Sequence, residues 1–211
     1  MELIYLNKKS TSKILDLSVN CYKNLAIKIP KSRNLFIFGD NFKALSVLLG
    51  DGLKGTVDLI YIDPPYNTNQ VFTVSNNARV STISRTKDEN AMIAYDDNFT
   101  IAEYLEFIRE RLILMRELLS EEGSIYVHID NKMGHYLKLI LDEIFGIDNF
   151  INDVSRIKSN PKNFSRRAYG NEKDMVLFYA KNYRKNIFNN ITTPLSESEK
   201  VEMFKKIDKD G

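Results

Sequence analysis

An α/β fold built on a mostly parallel sheet is predicted by three observations. The apolar run Val57-Asp58-Leu59-Ile60-Tyr61-Ile62 carries a single charge and stops at a rigid Asp63-Pro64-Pro65-Tyr66. Such a run reads as a buried parallel strand. Further on, Ile101, Leu105, Ile108, Leu112, Met115 and Leu119 recur at alternating spacings of four and three before Gly123 and a second strand-like run, Ser124 to Asp130. This is an amphipathic helix feeding a strand, the unit that extends a parallel sheet by crossover. The alternation then repeats, because Met133, Leu137, Ile140, Leu141 and Ile144 share one helical face that Gly146 ends.

The remaining elements follow from local signals. Ile14, Leu15, Leu17, Tyr22, Leu25 and Ala26 give a helical pattern, after which Lys28-Ile29-Pro30-Lys31-Ser32-Arg33 reads as a basic linker. Leu35 to Phe38 is expected to be a short strand and Gly39-Asp40-Asn41 a turn, with Phe42, Leu45 and Leu49 as a buried helix stripe. Thr100-Ile101-Ala102-Glu103 is a capping box that starts the long helix, and Gly123 is expected to end it. Asp174 to Ala180 is another strand, and a capped helix begins near Ser196. Residues 67 to 99 lack periodicity and are rich in Asn, Thr and Ser. Stretches of this length are usually functional or disordered, and this one could close over a ligand at the Pro-Pro turn.

Composition bounds the function without choosing it. The chain has 211 residues, 43% hydrophobic and 27% charged, enough for one sizeable core. A single cysteine, Cys21, excludes an internal disulfide framework and suits a reducing, cytoplasmic setting. The start lacks the apolar centre of a leader, and no stretch approaches the length of a membrane span. His128 and His135 are the only histidines. Without carboxylates at ligand spacing they are expected to be structural, and no metal is expected. The net charge of +2 is too small to argue for nucleic acid by itself. The distribution is more telling. Between Ile151 and Lys173, Arg156, Lys158, Lys162, Arg166, Arg167 and Lys173 oppose only Asp153 and Glu172, interleaved with Phe164 and Tyr169. That pattern fits a DNA-facing segment, in which cations neutralise phosphates and aromatics stack on bases; a solvated basic loop is the bland alternative.

Three stretches together resemble one family. They are Asn34-Leu35-Phe36-Ile37-Phe38-Gly39-Asp40-Asn41-Phe42, the run from Val57 to Asn69 with Asp63-Pro64-Pro65-Tyr66, and Leu118 to Asp130. In this order they are similar to the β-group of DNA adenine-N6 methyltransferases, in particular the modification subunits of type III restriction-modification systems and their type II relatives. The resemblance implies a Rossmann-like methyltransferase sheet, S-adenosylmethionine as cofactor, DNA as substrate and Asp63, Pro64, Pro65 and Tyr66 as the catalytic motif. The chemistry suits those residue types. The lone pair of an exocyclic adenine amine is delocalised into the ring, and a carboxylate and a backbone carbonyl accepting its two hydrogens would favour a pyramidal, nucleophilic nitrogen. Two prolines hold that carbonyl still, and Tyr66 would stack on a flipped base. Taken alone, the tetrapeptide also fits a strand ending in a rigid turn. By the same resemblance Asp40 is a candidate cofactor-binding residue; capping of the following helix is the alternative. A cytosine-N4 target is a lesser possibility, since that subgroup more often has Ser in place of Asp63.

The resemblance also divides the chain: 1–33 as an N-terminal helical and basic extension, 34–182 as a partial catalytic domain containing the basic segment 151–173, and 183–211 as the start of a target-recognition or helical region. The family's glycine-rich cofactor motif is not matched by any of the nine glycines. The sheet is therefore expected to be incomplete at the C-terminus. A homodimer partner, a restriction subunit or a polypeptide carrying the missing half are the partners this implies, and a remnant that only binds DNA or such a fragment is the rival function.

Overall fold

In the computed structural model, residues 2–30, 34–65, 71–74, 92–96, 99–158, 167, 172–192 and 194–203 are described. Helix α1 spans Thr11–Leu25 and α2 Asn41–Leu48, the latter running into a π-helical turn over Leu49–Leu53. Strand β1 covers Val57–Ile62, and β2 (Val71–Val74) pairs antiparallel with β3 (Met92–Asp96) as a separate ribbon. Then follow α3 (Ile101–Leu118), β4 (Leu119–Ile129), α4 (Gly134–Phe145), β5 (Phe150–Ile157), β6 (Lys173–Ala180) and α5 (Glu197–Met203).

The main sheet has the order β1-β4-β6-β5. The predicted crossover is present: α3 links β1's end of the sheet to β4, which lies parallel to β1 with Ile60 opposite Ile125 and Ile62 opposite Val127. The rest of the sheet is mixed rather than parallel, because β6 runs antiparallel to both β4 and β5. β5 and β6 are adjacent in the sheet and paired antiparallel, so β6 runs against the direction shared by β1, β4 and β5.

Three local expectations are modified. Strand β4 begins at Leu119, before Gly123, and its register with β1 shifts between Val57 and Leu59. Gly123 sits inside the irregular stretch, where an added Cβ would lie 2.8 Å from the Val57 carbonyl oxygen. Leu35 to Phe38 joins no described strand, and Phe36 and Phe38 are 89% and 93% exposed. Finally, β1 is an edge strand among the described residues, with Leu59 and Tyr61 open to solvent, so it is covered on one face and not two.

That one-sidedness follows from the two-residue period of strands. Ile60, Ile62, Ile125, Val127, Ile129, Met175, Leu177 and Tyr179 join one core with Leu105, Ile108, Leu112 and Met115 of α3 and Leu137, Ile140 and Leu141 of α4. The helices supply the matching apolar stripes. Thr100 and Glu103 form the predicted capping box at the start of α3, with the Glu103 amide donating to the Thr100 hydroxyl at 3.3 Å. At the other end of α4 the chain leaves through Gly146, whose φ of 90° is readily adopted without a Cβ. The opposite face of the sheet presents Tyr61, Tyr126, His128, Asp174 and Phe178, with the Tyr126 and Phe178 rings stacked 4.2 Å apart.

The N-terminal segment is tied to α3 and α4 by charge. Arg109, almost fully buried, donates to Glu143 at 3.1 Å and to the Lys9 carbonyl at 2.9 Å. Lys8 also pairs with Glu143, at 2.8 Å, and the Tyr5 hydroxyl donates to Glu106 at 2.7 Å. Burial, with help from the Glu106 carboxylate, pushes the Tyr5 phenol far above its ordinary value, so it remains a donor. For Glu143 burial acts toward a higher pKa, yet bonds from Lys8, the Leu3 amide and Arg109 outweigh it and hold the carboxyl below its usual range. Among the described residues no helix is long and apolar enough to cross a membrane.

Candidate active site

Asp63, Pro64 and Pro65 follow directly on β1, at the carboxyl end of a strand in an α/β sheet, where ligands of such sheets bind. Pro64 is buried and Pro65 half-buried, while the Asp63 side chain is 57% exposed. The turn is fixed by more than its prolines. Tyr104, fully buried on α3, donates its hydroxyl to the Pro65 carbonyl at 2.7 Å. Helix α3 therefore holds the turn from beneath while its other residues fill the core.

The register of the sheet then decides what stands beside Asp63. Because Ile62 is opposite Val127, the next residue on each strand brings Asp63 next to His128. The His128 Nδ1 lies 3.2 Å from Asp63 Oδ1, within hydrogen-bonding range. On the far side of the ring, Nε2 faces Asp174 Oδ2 at 3.5 Å. Asp174 is at the start of β6, with its side chain 3% exposed. A carboxylate so deeply buried requires partners. They are His128, Arg156 at 3.4 Å and the Lys158 ammonium in direct contact. Arg156 is the cross-strand neighbour of Asp174, so this last pairing also follows from register.

The predicted site residues thus divide into groups. Asp63, Pro64 and Pro65 come together with Arg156 and Lys158 through His128 and Asp174. Arg167 is described as an exposed bend residue. Tyr66, Lys162 and Arg166 lie outside the described residues, as do Phe164 and Tyr169 of the basic segment. The sequence reading missed three contributors: His128, which it took as structural, Asp174 and Tyr104. A usable signal for His128 was present, since it is opposite the first residue after a strand ending in Asp-Pro-Pro. None existed for the hydroxyl of Tyr104 among the apolar positions of its helix.

Asp40 occupies the N-cap of α2, where its Oδ1 accepts from the Lys43 amide at 3.0 Å. This is the capping arrangement weighed from sequence. The other oxygen meets Arg111 at 3.4 Å, and Arg111, buried and stacked on the Phe107 ring, also donates to Asn41. Burial draws the Arg111 guanidinium below its ordinary value, opposed by Asp40 and Glu110. The Asp40 side chain remains 47% exposed. It borders a cavity of about 450 Å³ walled by Leu25, Ile27, Leu35, Phe38 and Val47. Apolar walls with a carboxylate at the rim can take a heteroaromatic ring bearing hydroxyl or amino donors.

Chemically, the turn after β1 offers a carboxylate and a backbone carbonyl in fixed relation on an open face of the sheet. Such a pair can accept both hydrogens of an amino group. Among the described residues no cluster of His, Cys, Asp or Glu is arranged to hold a metal ion.

The sequence resembles known proteins over most of its length. The family model described as DNA methylase, covering N6 and N4 methyltransferases, matches residues 57–210. The type II methyltransferase M.EcaI of Enterobacter cloacae is 42% identical over 180 residues, which is 85% of this chain and 35% of that protein. The EcoPI Mod subunit of a type III restriction-modification enzyme, from Escherichia phage P1, is 35% identical over 162 residues, 72% of this chain and 25% of that subunit. The chain therefore spans about a third or less of the length of these relatives. The crystal structure of the M1.HpyAVI–SAM complex aligns at a TM-score of 0.45 and 19% identity, over 76% of this chain and 60% of that one.

Proposed function

Because the chain belongs to the DNA methylase family of N6 and N4 methyltransferases, we propose that it serves the transfer of a methyl group from S-adenosylmethionine to the N6 amine of an adenine flipped out of DNA, within a restriction-modification system. The observation that carries this reading is the rigid Asp63-Pro64-Pro65 turn at the carboxyl end of β1, with Asp63 beside His128 and the Pro65 carbonyl occupied by Tyr104.

In this reading Asp63 accepts one amino hydrogen. With the Pro65 carbonyl already engaged, the Pro64 carbonyl accepts the other, and the nitrogen lone pair is drawn out of the ring. Tyr66 stacks on the extruded base, replacing roughly 1–3 kcal/mol of lost stacking. Bound S-adenosylmethionine supplies an electrophilic methyl group. Its adenosyl part fits the cavity beside Asp40, whose half-exposed carboxylate keeps capacity to accept from a ligand donor. Positioning accounts for most of the catalysis, since direct in-line transfer needs no covalent intermediate on the protein. The basic segment with Arg156, Lys158, Lys162, Arg166 and Arg167 faces the DNA backbone. Asp at position 63, rather than Ser, favours adenine over cytosine. The partners this reading implies, besides DNA, are a second copy of the chain or a restriction subunit, in a cytoplasmic setting.

Calorimetric titration of the purified chain with S-adenosylmethionine is the first test. Micromolar binding supports a competent pocket. Methyl transfer to DNA of mixed sequence is then compared for the wild type and Asp63→Ala, with the rest of the family's catalytic region supplied as a second polypeptide. Transfer should collapse in the variant while DNA binding persists, and retained turnover would remove Asp63 from the mechanism.

A further inference from the structure

An amine-polarising Asp63 has to be held in one orientation, and the turn alone does not hold it. Asp63 is 57% exposed at its side chain and stands on a turn, so nothing in the prolines fixes its own χ angles. A catalytic acceptor must be aimed within a few tenths of an ångström to be of use. Next to it is an imidazole that the sheet has almost entirely buried, with a side chain 9% exposed. Tyr126 and Phe178 stack one step away on the same face of the sheet, and Val176 is the direct cross-strand neighbour of His128.

We propose that His128 is a positioning residue: it holds the Asp63 carboxylate through Nδ1 while Asp174, itself anchored by Arg156 and Lys158, fixes the other edge of the ring. The inference rests on the functional reading above. Its support is geometric. The 3.2 Å and 3.5 Å contacts turn the two ring nitrogens toward the two carboxylates, Nδ1 within hydrogen-bonding range of Asp63 and Nε2 beside Asp174 in a longer polar contact that is not a hydrogen bond. The two cations on Asp174 offset the cost of burying that carboxylate, which would otherwise not remain beside the ring. Arg156 and Lys158 consequently have a second task besides facing DNA. They keep Asp174 in place, and through it His128 and Asp63.

The contact can be tested without any activity. The chain has only two histidines, so the ring N–H signals of uniformly ¹⁵N-labelled full-length protein divide between His128 and His135, and His128→Gln assigns them. Asp63→Asn should shift the His128 Nδ1 resonance, Asp174→Asn should shift both nitrogens of His128, and neither should move His135. Identical His128 signals in the wild type and Asp63→Asn would overturn the proposal.

Kinetics separates it from the functional reading. In the supplemented transfer assay His128→Ala should lower kcat about tenfold with KM for DNA nearly unchanged, and His128→Asn, whose amide can donate from near the Nδ1 position, should recover most of the activity. Full kcat in His128→Ala together with collapse in Asp63→Ala would sink the positioning role alone. Full turnover in Asp63→Ala would sink the functional reading, while the resonance shifts would still report whether the contact exists.

Discussion

Tyr104→Phe isolates the support beneath the Asp63-Pro64-Pro65 turn. The substitution removes one oxygen from a fully buried side chain and leaves the ring, together with its tilted contact to Phe99 at 6.5 Å, in place. No cavity of consequence opens, so the effect reports the 2.7 Å bond to the Pro65 carbonyl. A neutral hydrogen bond contributes about 0.5–1.5 kcal/mol net, rising to about 1–3 kcal/mol if the carbonyl is left dry. Water can reach this turn from the side of the exposed Asp63, so the lower figure applies, about 1 kcal/mol. Two prolines make the turn stiff, and it cannot relax internally; it shifts as a body and takes the Asp63 carboxylate with it. Urea unfolding should show the free energy of unfolding lowered by that amount, read as a lower midpoint at an unchanged slope. Single-turnover methyl transfer should slow by about fivefold, the factor that about 1 kcal/mol represents. Equal stability and equal transfer in the variant would refute the claim that α3 positions the turn. A stability loss with full transfer would confine Tyr104 to the fold.

Three other predictions follow from the same framework of charges and bonds. Arg166→Ala with Arg167→Ala should weaken DNA binding and flatten its dependence on salt, since every phosphate left without its cation reduces the slope of log affinity against log salt by about 0.9; an unchanged slope would assign the segment to ordinary surface. Arg109→Met should destabilise the chain by about 1–3 kcal/mol in urea titrations, because Glu143, Glu106 and the Lys9 carbonyl lose the buried guanidinium while Lys8 and Tyr5 still hold the two carboxylates; an effect under about 1 kcal/mol would mean that water replaces the guanidinium. Glu143 has a folded-state pKa below its ordinary 4.5, so its contribution is present above that pH and is lost as pH falls through the depressed value. The gap in urea midpoint between the wild type and Glu143→Gln should therefore narrow on going from neutral pH to pH values well below 4.5, and a gap independent of pH would contradict the linkage.

The helices and their caps were legible in sequence because their signals are local. Ile101 to Met115 and Met133 to Ile144 recur with the helical period, and Thr100, Glu103 and Gly146 stand where the chain must start and stop. The crossover from β1 to β4 followed from handedness. The direction of β6 did not, because it depends on how β5 returns, and nothing in Asp174 to Ala180 encodes whether its neighbours run with it or against it. The early start of β4 was hidden for a related reason. Gly123 reads as a helix stop by propensity, yet it sits in the irregular pairing of β4 with β1 because the Val57 carbonyl comes too close for a side chain. Leu35 to Phe38 shows the opposite limit. Its apolar residues satisfy every local criterion for a strand, but a strand exists only when another pairs with it, and no described segment does.

For the site, the motif was visible and its supports were not. Asp63 and the prolines announce themselves by residue type, whereas His128 within a strand looks like a packed core residue until register is counted. Counting is possible in principle. Once β1 and β4 are taken as parallel neighbours whose carboxyl ends align, the residue following Ile62 falls beside the one following Val127, and the pair is Asp63 and His128. Antiparallel pairing of β6 then brings Asp174 to the same corner from far along the chain, and Arg156 to Asp174 from the next strand. The corner is thus assembled from four strands, each contributing side chains on the face that the helices leave open. This explains why the cations at 156 and 158 read from composition as surface charge. Composition records that they are basic and near one another, while only the sheet shows that both meet a single carboxylate whose side chain is 3% exposed.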